Sequence, residues 1–324
     1  MQTRFREDGT RELLSLDAED LETINRTGTI SIPQDITALG PDAFESCVFL
    51  RRILIPKNLV YFSPNTFAGC NALEEISVEE GNPRYDSREN CNAVILTADN
   101  RLVLGCKKTS LPASVASIAM GAFPNFTMFD YKCILYDVEP GNAGYLGEFI
   151  LPKTVTRVEC GAFLGCADLS RIEVEAGHPV YDSRGGCNAI VETATDTLLV
   201  GCRETAIPST VRAIAPFAFS GVTTLSSLAL PEGLSCIGRG AFEFCHRLTE
   251  LRFPSGLKSI GPFAFWCCKG LKKAVIPASI EEIGENAFLK CEGATIYCEA
   301  PEKPEGWHES WCDPGVKVVW NHGE

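Results

Sequence analysis

The sequence contains two stretches that follow one pattern, IGRGAFEFCHRLTELRFP at residues 237–254 and IGPFAFWCCKGLKKAVIP at residues 260–277. Each begins with Ile-Gly, places Ala-Phe at the same position and continues with a Cys and a Leu three residues apart. Each then ends on an apolar residue followed by Pro. Because the two stretches begin at residues 237 and 260, this part of the chain repeats with a period of 23 residues.

The same pattern extends over most of the chain. Eight prolines have a Phe eleven residues later, whereas 19 Pro and 18 Phe placed at random in 324 residues give about one such pair. These prolines are Pro33, Pro56, Pro112, Pro152, Pro208, Pro231, Pro254 and Pro277. Apolar residues also recur three and six positions after each Pro. A period of 23 lies inside the range of 20–29 residues that is typical of leucine-rich repeats.

The residues before each Pro predict a short β-strand. Arg52–Ile55 and Glu250-Leu251-Arg252-Phe253 have apolar residues at every second position, so one face of each strand points to the core. Strands of successive coils would pair at about 4.8 Å. We therefore predict a leucine-rich-repeat solenoid with short parallel β-strands on one face and turns, irregular segments or short helices elsewhere.

Two repeats are enlarged, and both ends of the chain differ from the repeats. The inserts near 80–111 and 176–207 share Tyr-Asp-Ser-Arg, and the stretches 189–193 and 197–200 predict a β-hairpin. A third insert near 127–150 contains Pro-Gly-Asn and predicts a loop. We predict an N-terminal cap over 1–30 with a short helix that begins near Asp17, eight repeats over 31–298, and a C-terminal cap over 299–324. In the tail, Tyr297, Trp307, Trp311 and Trp320 are predicted to cover the last coil.

At the Ile-Gly-x-x-Ala-Phe-x-x-Cys-x-x-Leu motif, clearest over 237–254 and 260–277, the chain resembles the BspA-type leucine-rich repeat family of bacterial and protozoan proteins. The resemblance covers roughly residues 30–298, and the tail through Trp320 is similar to ends seen in that family. It implies a bacterial or protozoan adhesion or interaction protein, often secreted or attached to the cell surface. It implies no catalytic residue, and a fold by itself does not determine function.

A binding surface is predicted on the outward face of the strands. If Ile53 and Ile55 point inward, Arg52 and Leu54 point outward, and the equivalent positions of other coils do the same. The predicted binding residues are Arg52, Leu54, Glu75, Ser77, Arg171, Glu173, Glu250, Arg252 and Lys273. Ser227 and Ala229 occupy equivalent outward positions. Since arginine is frequent at binding hot spots, the three arginines are the strongest choices, although a solvated face without a partner explains the pattern as well.

The charge restricts the class of partner. A formal net charge of −13 and the lack of a Lys/Arg stripe argue against nucleic acid and anionic membranes. The sequence has no run of about 18 apolar residues and no apolar signal segment at its start. We therefore expect the chain to bind another protein or a glycan, without membrane insertion. We also expect it to be a monomer. As written, the sequence predicts a cytoplasmic location, or a secreted or surface location if a signal was removed.

The 16 cysteines suggest three readings. Six of them occupy one repeat position, which predicts free, buried thiols along the core. Disulfides between Cys91 and Cys106, and between Cys187 and Cys202, are an alternative because both pairs share a spacing of 15. A zinc site is the third reading, and its four ligands would be Cys291, Cys298, His308 and Cys312.

Two hypotheses of function follow. The favoured one is a non-enzymatic protein-binding or glycan-binding module, with no cofactor, metal or catalytic residue. A secreted or surface adhesin of the same fold is a variant of it. The rival hypothesis is a zinc-dependent or thiol-dependent enzyme that uses the C-terminal Cys/His cluster. The sequence lacks the H-E-x-x-H, G-x-S-x-G, P-loop and dinucleotide-binding motifs. Asp86 with Arg88, and Asp182 with Arg184, predict turns held by side-chain hydrogen bonds.

Overall fold

The computed structural model describes residues 1–45, 47–63, 66–123 and 146–323. The chain forms two compact units: Met1–Gly147 with Thr154–Asp168 is unit 1, and Glu148–Lys153 with Leu169–Glu324 is unit 2. In chain order the elements are β1 Gln2–Phe5, β2 Arg11–Ser15, α1 Ala18–Thr27, β3 Thr29–Ile30, β4 Ala38–Leu39, β5 Arg52–Ile55, β6 Tyr61–Phe62, β7 Glu75–Val78, β8 Tyr85–Asp86, a 3-10 turn Arg88–Asn90, β9 Val94–Leu96, β10 Arg101–Leu104, β11 Ser117–Ile118, β12 Glu148–Leu151, β13 Arg157–Val158, β14 Arg171–Val174, β15 Tyr181–Asp182, a 3-10 turn Arg184–Gly186, β16 Ala189–Glu192, β17 Thr197–Gly201, β18 Ala213–Ile214, β19 Cys236–Ile237, β20 Glu250–Arg252, β21 Ser259–Ile260, β22 Lys273–Ile276, β23 Glu282–Ile283, β24 Thr295–Cys298 and β25 Lys317–Val319.

Both units are parallel β-solenoids with little helix, as the repeat pattern predicts. In unit 1 the predicted strand face is the sheet β3-β5-β7, in which each pair is parallel. In unit 2 the strand face consists of the pair β12-β14 and the sheet β20-β22-β24-β25, again with parallel pairs. The alternation of exposed and buried residues is as expected, since β5 and β14 both follow the order exposed, buried, exposed, buried.

Each unit also contains a second column of strands that the sequence did not predict. The apolar residue six positions after each Pro lies in a strand of two residues, and these strands pair in parallel from coil to coil. In unit 2 they are part of the seven-stranded sheet β15-β16-β17-β18-β19-β21-β23. In unit 1 they contribute to the sheets β1-β2-β4-β6 and β13-β11-β10-β9-β8. A two-residue strand shows no alternation, so a period-two pattern cannot reveal it.

The two similar inserts form the predicted hairpins. β16 pairs with β17, and β9 pairs with β10, each antiparallel. Both hairpins join the second column rather than the strand face, because β10 continues in parallel to β11 and β17 continues in parallel to β18. Most of the third insert, predicted as a loop, lies outside the described residues. At the end of this range Glu148–Leu151 forms β12 and pairs with β14.

The repeated phenylalanines stack along the core of each unit. Phe242 lies 5.0 Å from Phe219 and 5.2 Å from Phe265 between ring centroids, with the rings nearly parallel. In unit 1, Phe44 stacks on Phe67 at 5.1 Å. All five side chains are fully buried. A buried aromatic side chain contributes roughly 1.5–3 kcal/mol, so this column is a major source of cohesion between coils.

The repeated cysteines line the core beside this column. All fifteen described cysteines are free thiols, so neither proposed disulfide is formed. Four of these thiols, the ladder thiols, donate to the carbonyl oxygen of a Phe 26 positions earlier, at 3.1–3.3 Å: Cys70, Cys245, Cys268 and Cys291. Burial raises the pKa of all four thiols, and that of Cys291 reaches about 12. The thiols therefore keep their protons and act as small hydrogen-bonding core residues.

The glycine of the Ile-Gly step lets successive coils approach closely. A Cβ atom built on Gly261 would lie 2.6 Å from the backbone nitrogen of Arg239 in the preceding coil. On Gly284 it would lie 2.4 Å from the nitrogen of Pro262. Because a Cβ atom does not fit at these distances, glycine is required at these two positions.

The two ends of the chain differ from the repeats in their local structure. Helix α1 begins after Asp17, whose side chain accepts hydrogen bonds from the amides of Glu19 and Asp20. At the other end Trp307 and Trp311 are buried, and Trp311 packs edge-on against Phe288 at 5.9 Å. Trp320 packs against both tryptophans. The tryptophans thus pack against the last coil, whereas Tyr297 lies within β24 and is half-buried. Their role as a cap stays a prediction.

Candidate binding surface

In unit 1 the four predicted binding residues lie side by side. Arg52 and Leu54 on β5 are in register with Glu75 and Ser77 on β7, and all four side chains are exposed. Leu54 is 50% exposed. Their positions on the strand face are thus as expected, and their role in binding stays a prediction.

In unit 2 the five predicted residues are distributed over three strands. Arg171 and Glu173 lie on β14, Glu250 and Arg252 on β20, and Lys273 on β22. Lys273 is half-buried and its ammonium lies 5.5 Å from the ring centroid of Tyr297.

One expectation about unit 2 was wrong. Ser227 and Ala229 are exposed, but residues 226–230 form no strand. The strand face is therefore interrupted immediately before β20.

The three arginines differ in their ion pairs. Arg171 bonds to Glu173 at 2.9 Å and lies 3.8 Å from Glu148. Within the described part of the chain, Arg52 and Arg252 form no ion pair. An arginine already held by carboxylates of its own chain gains less from a partner's carboxylate than a free one does. Arg52 and Arg252 are consequently the better-suited contact residues.

A groove in unit 2 runs along the interruption of the strand face. Its volume is about 1340 Å³. Its lining includes the predicted residues Glu250, Arg252 and Lys273, together with residues that the sequence did not single out: Thr205, Ile207, Leu228, Leu230 and His322. Leu228 and Leu230 match the repeat pattern as core residues, so no local signal marked them as part of a surface.

A smaller groove of about 640 Å³ lies where β14 meets the insert of unit 2. Arg171 and Glu173 line it, as do His178 and Arg184. The Nδ1 atom of His178 accepts hydrogen bonds from the amides of Val180 and Tyr181 at 3.1 and 3.0 Å. The same turn in unit 1 uses the side-chain oxygen of Asn82 for this purpose.

The Tyr-Asp-Ser-Arg segments of the inserts are turns held by side chains, as predicted. Arg88 bonds to both carboxylate oxygens of Asp86 and to Asn100 at 2.7 Å. Arg184 bonds to Asp182 at 2.8 Å and to Asp196 at 2.5 Å. The hydrogen bonds that the guanidinium groups donate to the aspartates raise the pKa of both groups. These groups are committed to the turns and are poorly placed to act on a ligand.

The four residues of the zinc alternative have other roles. The thiol of Cys291 bonds to the carbonyl of Phe265, and Nδ1 of His308 is 2.9 Å from the hydroxyl of Ser310. Burial raises the pKa of Cys298 to about 12 and that of Cys312 to about 11, whereas zinc binds the thiolate. In the ranges that the structure describes, no three His, Cys, Asp or Glu residues are placed to hold a metal ion.

The family model for the BspA type leucine rich repeat region matches six copies over residues 14–94 and 200–302. The chain belongs to the BspA-type leucine-rich repeat family. This membership agrees with the stacked Phe and Cys columns of both units. No curated protein matches the sequence.

Several solved structures are similar to this chain at low sequence identity. The pneumococcal vaccine antigen PcpA is 17% identical with a TM-score of 0.51, and the match covers 89% of this chain and 58% of PcpA. A leucine-rich repeat protein from Eubacterium ventriosum is 14% identical with a TM-score of 0.49, over 99% of this chain and 93% of that one. A leucine rich cell surface protein from Faecalibacterium prausnitzii is 17% identical with a TM-score of 0.39, over 99% and 93%. This chain thus spans 58% of the pneumococcal chain's length.

Across residues 1–323, apart from the segments left undescribed, no helix is both long and apolar enough to cross a bilayer.

Proposed function

We propose that this chain is a non-enzymatic interaction protein that binds another protein through the strand faces of its units. The observation that carries the proposal is the set of exposed side chains on paired strands, above all Arg52 and Arg252. Both guanidinium groups project from rigid strands and are free of ion pairs within the described residues. An arginine presented in this way loses little conformational freedom on binding and can form bidentate bonds to a partner's carboxylate.

The state of the thiols supports a non-enzymatic role. A cysteine nucleophile needs an accessible thiolate, but burial raises the pKa of the ladder thiols and their protons bond to main-chain carbonyls. The two arginines with nearby carboxylates in the inserts hold turns. The charged groups on the strand faces are therefore better suited to contact than to chemistry.

Presentation at a cell surface is part of the same proposal. PcpA, which has the same fold, is described as a vaccine antigen, a description that fits a protein exposed to antibodies. We also propose that the chain acts as a monomer, which light scattering of the purified protein would test.

The proposal is tested by replacing Arg52, Arg171 and Arg252 together with Ala. Binding partners captured by the wild-type chain from host extracts are first identified and purified. We expect the triple variant to bind the purified partner at least tenfold more weakly, since arginine hot spots contribute about 2 kcal/mol or more. Unchanged binding would exclude this surface.

A matched control removes three exposed arginines that lie off the strand faces: Arg26, Arg157 and Arg247. This control carries the same change in net charge and should bind as the wild type does. Protease treatment of the captured material distinguishes a protein partner from a glycan, and retention after proteolysis would overturn the choice of a protein. Stoichiometric zinc that is lost in Cys312→Ser would favour the rival enzyme hypothesis instead.

A further inference from the structure

Residues 226–230 of unit 2 form a segment whose main chain has no hydrogen-bonding partner among the described residues. The coils on either side of this gap are nevertheless in contact. Phe219 stacks on Phe242 at 5.0 Å, and a Cβ atom on Gly256 would lie 3.0 Å from the carbonyl oxygen of Glu232. The opening is therefore local to the strand face and is bounded at both ends.

The next strand, β20, presents a free edge to this gap. The carbonyl of Thr249 accepts from Lys272 at 2.9 Å, and the amide of Phe253 donates to Val275 at 3.4 Å, so residues of odd number face β22. Because successive residues of a strand direct their amide and carbonyl groups to opposite sides, those of Glu250 and Arg252 face the gap. In the described chain these four polar groups have no main-chain partner.

The floor of the groove is apolar and incompletely covered. Ile207, Leu228 and Leu230 pack on the core of unit 2 but are only half-buried. The corresponding inward residues in the coils of β5 and β20 are at most 5% exposed: Ile53, Ile55, Leu251 and Phe253. A free strand edge above exposed aliphatic side chains is the usual arrangement for strand addition by a peptide.

We infer that this groove binds an extended segment of a partner protein, which adds to β20 as a strand and bonds to the main chain of Glu250 and Arg252. The inference rests on the proposed function and specifies its binding mode. The segment should carry aliphatic residues at every second position, to cover Leu228 and Leu230. It should carry no net negative charge, because three glutamates and only two fixed cations, Arg252 and Lys273, line the groove.

The test uses peptides selected from a library of random twelve-residue sequences displayed on phage, with the full chain as the target. Selected peptides are synthesised, and their affinity is measured by fluorescence polarisation. Each peptide is then N-methylated at alternate residues in two sets. Strand addition requires that one set lose binding roughly tenfold or more and that the other retain it, since only alternate amides face β20. Equal effects of both sets, or no selected peptide that binds, would overturn the inference.

A pair of variants tests the edge of β20 itself. Arg252→Pro removes the amide that faces the groove and leaves the bonds to β22 intact, and Arg252→Ala removes the same side chain but keeps the amide. Circular dichroism and thermal unfolding establish that both variants fold. Peptide binding should be roughly tenfold weaker in Arg252→Pro than in Arg252→Ala. Equal affinities of two folded variants contradict strand addition, and a misfolded proline variant leaves the methylated peptides to decide.

The two proposals fail in different ways. If the purified host partner binds Arg252→Pro as well as it binds Arg252→Ala but is lost in the triple arginine variant, the inference is wrong and the proposed function stands. If the partner binds all of these variants equally, the proposed function is wrong.

Discussion

The coil of β5 in unit 1 and the coil of β20 in unit 2 follow one sequence pattern but differ in how their strands are paired. β5 lies between β3 and β7, and the amide of Arg52 donates to the carbonyl of Gly28 at 3.0 Å. β20 pairs only with β22, and the equivalent amide of Glu250 faces an open groove. A strand can therefore keep its local conformation although one of its edges is unpaired. The phenylalanine column and the second column of strands hold the coils together at that place.

The largest effect on stability is expected from removing a ring of the phenylalanine column in the coil of β20. Phe242→Ala should destabilise the protein by about 3–5 kcal/mol, because the ring is fully buried between Phe219 and Phe265. Urea unfolding followed by circular dichroism measures the loss. Phe242→Leu serves as the control and should cost clearly less. A loss below about 1 kcal/mol for the alanine variant would mean that the phenylalanine column does not stabilise the coil of β20.

A second pair of substitutions compares the floors of the two coils. Ile53→Ala should cost about 2–5 kcal/mol, since Ile53 is 2% exposed and lies on a strand that is paired on both sides. Leu228→Ala should cost only about 1 kcal/mol, because the half-buried side chain has less surface to lose. Urea unfolding of both variants under the same conditions gives the two values. Equal losses would contradict the view that the coil of Leu228 is open.

The pH dependence of stability tests the contact between the coil of Ser220 and the coil of Glu243. Glu243 accepts a hydrogen bond from Ser220 at 2.7 Å, and burial raises the pKa of its carboxyl from 4.5 to about 7. A folded pKa above the unfolded value stabilises the protein below pH 4.5, and this contribution is lost as the pH rises through 7. It amounts to at most roughly 3 kcal/mol.

Glu243→Gln should therefore flatten the decline in the free energy of unfolding between pH 4.5 and pH 7. Glu292→Gln, which changes an exposed residue, is the control and should follow the wild-type curve. Thermal unfolding across this range provides the measurement. If the Glu243 variant retained the full slope, this carboxyl could not be its source.

The smallest effect concerns exchange and leaves stability unchanged. The amide of Arg52 should exchange with deuterium roughly tenfold or more slowly than those of Glu250 and Arg252, because it is bonded to a neighbouring strand. Hydrogen-exchange mass spectrometry with overlapping fragments resolves these sites. Similar protection at all three amides would indicate that the groove is closed in solution.

The fold could be predicted from the sequence because each coil repeats the same residue types at the same positions. Pro at the strand end, Ile-Gly, the buried Phe and the Cys beside it recur at fixed spacing, and each has the environment that its residue type suggests. The strand of Arg52 and Leu54 was predicted for this reason, as were both hairpins. The second column of strands was missed because two residues cannot display a period.

The open groove could not be predicted, because its cause is not local. Leu-Ala-Leu-Pro at residues 228–231 matches the repeat as well as Leu-Arg-Phe-Pro at 251–254 does. In the preceding coil, however, the chain leaves β17 into a turn in which Thr205 donates to the carbonyl of Asn188 at 2.6 Å. That coil has no strand before its Pro, so residues 226–230 lack a parallel partner there. The binding role of the predicted residues stays a prediction.

The hydrogen bonds of the ladder cysteines have a consequence for where such a chain can work. A thiol that keeps its proton, lies out of reach of small oxidants and is bonded to a carbonyl reacts slowly with disulfides and peroxides. The coils around Cys245, Cys268 and Cys291 therefore need neither a reducing nor an oxidising milieu to assemble. Once folded, these coils keep the same covalent structure at these three thiols on either side of a cell envelope.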